Sequence, residues 1–342
     1  MRERRLRLNA FSMNCVSHIQ HGLWRRQDTR QREFNSFDPW IELAQILEHG
    51  CFDMLFLADV VGVYDIYRGD EGSAVTNGIQ IPANDPLPLI SAMGHVTSNL
   101  GFVFTSSVLQ AHPFTFARQI STLDHLTQGR IGWNIVTSYL PNAGQNLGFG
   151  GLPSHGERYT RAEEYLDVTY KLWEGSWDDD AVCVDLTNGV YANRDNVHRI
   201  NHSGKYYQVA GPHLSEPSPQ RTPLLFQAGS SDRGREFAAR HAEGTFILTS
   251  LKSLNATRKA IIDIRDRAVR QGRERHDILI FQGVTPVVGG TEAEALARKE
   301  EYLQHISIIG GLVHMSGSSG VDLGSVDLDI PLKEVKVEAM KG

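Results

Sequence analysis

The chain has 342 residues, 41% of them hydrophobic and 22% charged, so it can bury one large core or two modest ones and is not a disordered chain. Lys plus Arg total 34 and Asp plus Glu total 40, a net charge of −6 that gives no general electrostatic drive toward nucleic acid or acidic lipid. The partner to expect is a small molecule or another subunit, and three cysteines (Cys15, Cys51, Cys183) are too few for a disulfide scaffold and suit a reducing, cytoplasmic compartment.

The Arg-rich opening MRERRLRL is interrupted by Glu3 and leads into no apolar signal region, and no run of about 18 apolar residues follows, so neither a targeting segment nor a membrane span is expected. Residues 6–14 (LRLNAFSMN) are β-prone and are followed by a long polar loop over 17–35. Asp38, Pro39 and the apolar spacing of Trp40, Leu43, Ala44 and Leu47 predict a helix that ends at Gly50. CFDMLFLAD, 51–59, is a continuous apolar run ending on a charge, the pattern of a parallel strand covered on both faces and reaching the sheet rim at Asp59.

The unit then repeats: helix 85–99, strand 100–107, helix 113–126, strand 129–138, helix 159–173, strand 224–228, helix 234–242, strand 244–250, helix 254–272, strand 278–288 and helix 291–306. Strands alternating with helices in one domain, 1–342, without a linker predict a (β/α)8 barrel of the TIM type. Insertions are expected at about 60–84 and 174–223, with short strands near 181–185 and 205–209, and the Gly-rich segment 310–324 reads as mobile.

In such a barrel the chemistry sits at the C-terminal strand ends. Here these are Asn14 and Cys15, Asp59 and Val60, Thr105 to Ser107, Thr137 and Ser138, Gly229 to Ser231, and Thr249: hydroxyls, amides and backbone with a single carboxylate. Hydrolysis by paired acids needs two carboxylates, and a serine nucleophile needs an elbow motif that is absent from the sequence. His18 and His21 have no acidic or Cys partner beside them and read as solvated or substrate-lining, so no metal is expected. Cys15 reads either as a nucleophile or as a small buried wall residue.

Two helix starts carry a stronger signal. In QAGSSDRGREFA, 227–238, a strand end, a glycine turn and two serines precede a helix, so hydroxyls and N–H groups converge as they do around a phosphate; a plain N-cap at Ser231 or Asp232 is the alternative. In HGERYTRAEEYL, 155–166, His155 and Tyr159 stand one helical turn apart. Together they point to a phosphorylated cofactor lying across the barrel mouth.

FDMLFLAD at 52–59, STLDHLTQGRIGWNIVTS at 121–138, ERYTRAEEYLDVTYKLWEGSW at 157–177 and HSGKYYQVAGPHLSEPSPQRTPLLFQAGSSDRGREFAARHAE at 202–243 resemble the bacterial luciferase-like flavin monooxygenases. NAFSMNCVSHIQHGLWR at 9–25, LADVVGVYDIYR at 57–68 and QIPANDPLPLISAM at 80–93 place the resemblance in the nitrilotriacetate and dibenzothiophene-sulfone monooxygenase branch, on the side of long-chain alkane monooxygenases. The resemblance implies a two-component enzyme. Reduced FMN comes from a separate NAD(P)H-dependent flavin reductase, and O2 supplies one oxygen atom to a small apolar substrate such as a long-chain alkane.

Carried onto this sequence, the resemblance puts Asp59, Thr105 or Ser106, and Thr137 near the flavin ring and ribityl chain, with His155, Tyr159, Ser230 and Ser231 toward the ribityl and phosphate. His18, Tyr64, Cys15 and His314 become the catalytic candidates, with His18 or Tyr64 holding the activated oxygen, and Met13, Val60 and Tyr139 the pocket wall. Tyr139 stands where the alkane branch leads us to expect histidine. A homodimer or tetramer is implied. Two other functions fit the same barrel: a deazaflavin-dependent oxidoreductase and a non-catalytic subunit. Only seven strands can be counted, so the eighth is expected to be missing and the C-terminal part truncated, which would leave strand edges unpaired.

Overall fold

The computed structural model describes residues 6–229, 231–247 and 253–326. The expected succession is present. Strands β1 (Asn9–Met13), β2 (Met54–Ala58), β3 (Gly101–Ser107) and β4 (Ile131–Val136) come first, two small hairpins β5–β6 (Val182–Asp185, Val190–Ala192) and β7–β8 (His202–Ser203, Gln208–Val209) follow, and β9 (Leu224–Gln227), β10 (Gly244–Ile247) and β11 (Leu279–Gln282) complete the set. The seven long-range strands form one parallel sheet in the order β1-β2-β3-β4-β9-β10-β11.

This sheet is curled. Phe56 on β2 and Phe246 on β10 lie four strand positions apart, about 19 Å in a flat sheet, yet their ring centroids are 4.9 Å apart and edge-on. Phe226 and Phe281 join them, so the concave face is filled at its lower end by phenylalanines from alternate registers. Above that layer the same alternation brings Thr105, Ser107 and Asn134 toward the C-terminal rim. Among the described residues β1 and β11 are the outer strands of the sheet and no eighth strand joins it. The segments beyond these edges are tied together instead, by Gln20 Nε2 to Thr285 Oγ1 at 3.3 Å and by the Arg26–Glu301 ion pair at 2.9 Å.

Helices α1 (Asp38–His49), α3 (Leu87–His95), α4 (Pro113–Thr127), α6 (His155–Gly175), α7 (Asp232–His241) and α8 (Leu254–Arg270) cover the convex face, whereas α2 (Gly72–Asn77), α5 (Pro141–Asn146) and α10 (Ile308–Ser319) cluster with the loops after β2 and β4, and α9 (Glu292–His305) packs against residues 23–25 of the loop after β1. The largest core lies between sheet and helices, where the ring of Phe116 of α4 packs tilted at 4.5 Å from that of Trp133 of β4 and both meet Tyr165 and Trp173 of α6.

Sequence and structure part at the last strand and at segment 310–324, and agree on short strands within the inserted segment 174–223. The last strand ends at Gln282, well short of residue 288, because Gly283 and Pro286 break the apolar run that had been read as strand. The inserted segment 174–223 folds as the two hairpins and docks on α4, where His213 Nε2 lies 2.9 Å from Ser121 Oγ. The segment 310–324, read as mobile, is largely the helix α10. Two of its glycines serve close packing: a Cβ on Gly317 would stand 2.2 Å from Tyr64 Cδ1, and one on Gly310 2.7 Å from Ile79 Cδ1.

Candidate active site

A cavity opens at the C-terminal ends of β2, β3 and β4, lined by Asp59, Val60, Ser107, Gln110, Ser138 and Tyr139 among others. Asp59 follows β2 directly. Burial pushes its carboxyl up to about 6, against the opposing effect of hydrogen bonds from the Val60 amide and Gln110. An acid whose folded pKa lies above its unfolded value of about 3.9 favours folding while protonated and loses that contribution as pH rises through the folded value. Asp59→Asn is therefore expected to stabilise the chain by on the order of 2 kcal/mol above pH about 6 and not at all below pH about 4. Urea unfolding at the two pH values measures it, and a gain of equal size at both would show that the carboxyl is not strained by burial.

Strand alternation separates the two β3 candidates. Thr105 faces the concave side and receives Asn134 Nδ2 at 3.0 Å, whereas Ser106 donates to Gln110 Oε1 at 3.2 Å. Gln110 also accepts the Ser107 amide, and Ser138 Oγ donates to Ser107 Oγ at 2.8 Å. Gln110 thus organises the rim from the loop after β3. Sequence reading missed it because a lone glutamine in a loop carries no motif. Thr137 sits half-buried just after β4. Asn134 Oδ1 is buried without a hydrogen-bond partner, an acceptor left available at this polar level of the barrel.

The second constellation lies where β9 turns into α7. Ser231 caps α7, accepting the Gly234 amide at 3.0 Å, and its hydroxyl lies 3.3 Å from His155 Nε2. Gln227 Nε2 donates to Tyr159 Oη at 3.3 Å, while Gln227 Oε1 accepts the Gly229 amide at 2.7 Å. Gly229 and Gly234 approach so closely that a Cβ on either would stand 2.8 or 2.7 Å from Tyr159 Oη. His155, Tyr159 and Ser231 are therefore brought together as expected from the helix starts. Ser230 and Thr249 lie outside the described residues.

The third group is the set of catalytic candidates. Tyr64, 1% exposed, donates to Gln80 Oε1 at 3.1 Å and shares a hydrogen bond with the Tyr139 hydroxyl. His314 packs edge-on against the Tyr64 ring at 5.2 Å and bonds His21, and burial together with the neighbouring His314 lowers His18 to about 4. Met13 is buried at the end of β1. Cys15 is held as a thiol: burial pushes it up to about 12, and Sγ donates to Ser17 O at 2.9 Å. Of its two readings, the wall residue matches this environment, since a nucleophile requires thiolate. Among the described residues no three His, Cys, Asp or Glu side chains converge as metal ligands do, and no helix is long and apolar enough to cross a membrane.

The chain is similar in sequence and fold to known proteins. The sequence profile of the family described as "Luciferase-like monooxygenase" matches residues 12–321. The long-chain alkane monooxygenase of Geobacillus thermodenitrificans is 51% identical over 94% of this chain and 72% of its own. The dimethyl-sulfide monooxygenase of Hyphomicrobium sulfonivorans is 47% identical over 99% and 70%. The crystal structure of riboflavin lyase with modified FMN and riboflavin superposes with a TM-score of 0.90 at 35% identity, covering 98% of this chain and 74% of that one. The chain belongs to the luciferase-like family of flavin-dependent monooxygenases.

Proposed function

We propose that the chain uses reduced FMN, supplied by a separate NAD(P)H-dependent flavin reductase, and O2 to oxygenate a small apolar molecule of the alkane or organic-sulfide class. The observation that carries the reading is the pair of sites on one rim: a hydroxyl- and amide-lined cavity at the ends of β2 to β4, and the tight Gly229–Gly234 turn, packed on Tyr159, that sets Ser231 beside His155 at the start of α7.

The residues present fit FMN. The exposed amides of the first turn of α7, the Ser231 hydroxyl and His155 would hold the phosphate, where the helix dipole favours an anion. Thr105, with Asn134 behind it, would meet the ribityl hydroxyls, and Asp59 and Thr137 would border the ring. Bound reduced flavin supplies the activation of oxygen, which explains a site with few acids and bases. The chain's own residues orient the flavin and exclude water: Val60, Val136 and Leu140 give the cavity apolar walls, and Tyr139, whose hydroxyl bonds that of Tyr64 behind it, completes the lining. Tyr139 places a hydroxyl at that wall, so the substrate class extends to molecules with one polar atom, as in a sulfide.

The test is turnover in air with a flavin reductase, NADH, FMN, labelled O2 and, separately, a long-chain alkane and dimethyl sulfide. One labelled oxygen atom in the product of either is expected. Turnover only with a reduced deazaflavin, or no flavin binding at all, would overturn the reading.

A further inference from the structure

The hydrogen bonds around His21 fix where its protons are. Ser17 Oγ has one proton, and it goes to the Gly78 carbonyl, which can only accept. The 3.3 Å contact of Ser17 Oγ with His21 Nδ1 must therefore be donated by the histidine. Both residues are buried, 1% and 3% exposed, and burial with the neighbouring His314 and His18 keeps His21 neutral to about 4. A neutral His21 with its proton on Nδ1 has a bare Nε2, so the 3.0 Å contact between His21 Nε2 and His314 Nδ1 must be donated by His314. Burial also lowers His314, and its remaining nitrogen Nε2, which has no hydrogen-bond partner among the described residues, is then unprotonated.

The backbone braces this chain of bonds. His21 O accepts the Ser307 amide at 2.8 Å just before α10, and a Cβ on Gly310 would stand 2.9 Å from His21 Cβ, so α10 seats directly on the loop that carries His21. The titratable groups facing His314 are His18 and His21 from the loop after β1 and Tyr64 from the loop after β2. All three are neutral near pH 7, so no fixed charge among them competes with the relay.

We propose that Ser17 and His21 are positioning residues that hold His314 in the Nδ1–H tautomer, so that it presents a bare Nε2 as hydrogen-bond acceptor beside Tyr64, whose hydroxyl meets that of Tyr139 at the wall of the cavity where the reaction is placed. The placing of the reaction there rests on the functional reading above; the tautomer does not. Neutral imidazole left to itself distributes its proton between the two nitrogens, and an acceptor that is bare only part of the time stabilises a reacting hydroxyl only part of the time.

Nitrogen NMR of the flavin-free protein with labelled histidine, with His314 assigned by its loss in His314→Gln, reads the tautomer directly. The parent protein is expected to show His314 protonated on Nδ1 at neutral pH, His21→Gln to keep that signature through its amide oxygen, and His21→Leu to lose it. Ser17→Ala, which leaves the His21–His314 contact in place, is expected to give a mixture, and it serves should His21→Leu not fold. In turnover, kcat is expected to fall about 100-fold in His21→Leu, with KM within about threefold and kcat largely restored in His21→Gln. A His314 carrying its proton on Nε2 in the parent protein overturns the relay, and an unchanged kcat in a folded His21→Leu overturns its positioning role. The expected tautomers in a parent protein that oxygenates nothing would overturn the functional reading and leave the relay standing.

Discussion

Replacing Gly234 by alanine is expected to weaken FMN binding by about 10-fold to 100-fold while leaving the fold intact. The added Cβ would stand 2.7 Å from Tyr159 Oη and 3.0 Å from the Gly229 α-carbon, and neither can retreat. Tyr159 is 4% exposed, packs on Phe237 at 5.6 Å and receives Gln227. The β9–α7 turn must therefore open, and the Ser231 hydroxyl would move away from His155, which lies 3.3 Å from it. Losing one charge-assisted hydrogen bond costs about 1.5 to 3 kcal/mol, which is the expected loss of affinity. Alanine is also the better helix former by about 1 kcal/mol, so without the close approach the substitution would only strengthen α7. Fluorescence titration of FMN decides between the two, and an unchanged Kd would remove the phosphate from this helix start.

A methyl group at Gly317 is expected to lower stability by about 1 to 3 kcal/mol and to reduce turnover at the same time. Its Cβ would lie 2.2 and 2.8 Å from Tyr64 Cδ1 and Cε1. Tyr64 is pinned by Gln80 and Tyr139 at its hydroxyl end and by His314 on its face. The strain must move α10, which carries His314 one turn before Gly317. Here too helix propensity alone predicts the opposite sign. Urea unfolding of Gly317→Ala together with its kcat checks both effects, and a stabilised, fully active variant would show that α10 is not held against Tyr64.

The alternation of apolar strands with amphipathic helices was legible because both periods are local. α1 begins at Asp38 and ends at His49 with Gly50 as its C-cap, where the Asp38-Pro39 start and Gly50 stop signals placed it. The start of α7 was legible for the same reason, since Ser231 is an N-cap whose partner is three residues away. Element lengths were less so: the strand expected to reach residue 288 ends at Gln282, and Gly310 and Gly317 of α10 read as mobility when they are contact points.

The sequence by itself determined the α/β class with its succession of parallel strands, the polar rim of the strand ends and the N-cap at the start of α7. Each follows from residues within a few positions of one another, where propensity, capping and strand alternation act. Only the tertiary structure decided that Gln110 organises that rim, that Thr105 and not Ser106 faces the concave side with Asn134, and that Cys15 stays a thiol. It alone brought His21 to His314 across 293 positions of chain. Those features depend on which surfaces a curled sheet and its helices press together, and on the desolvation that follows, and no local period carries either.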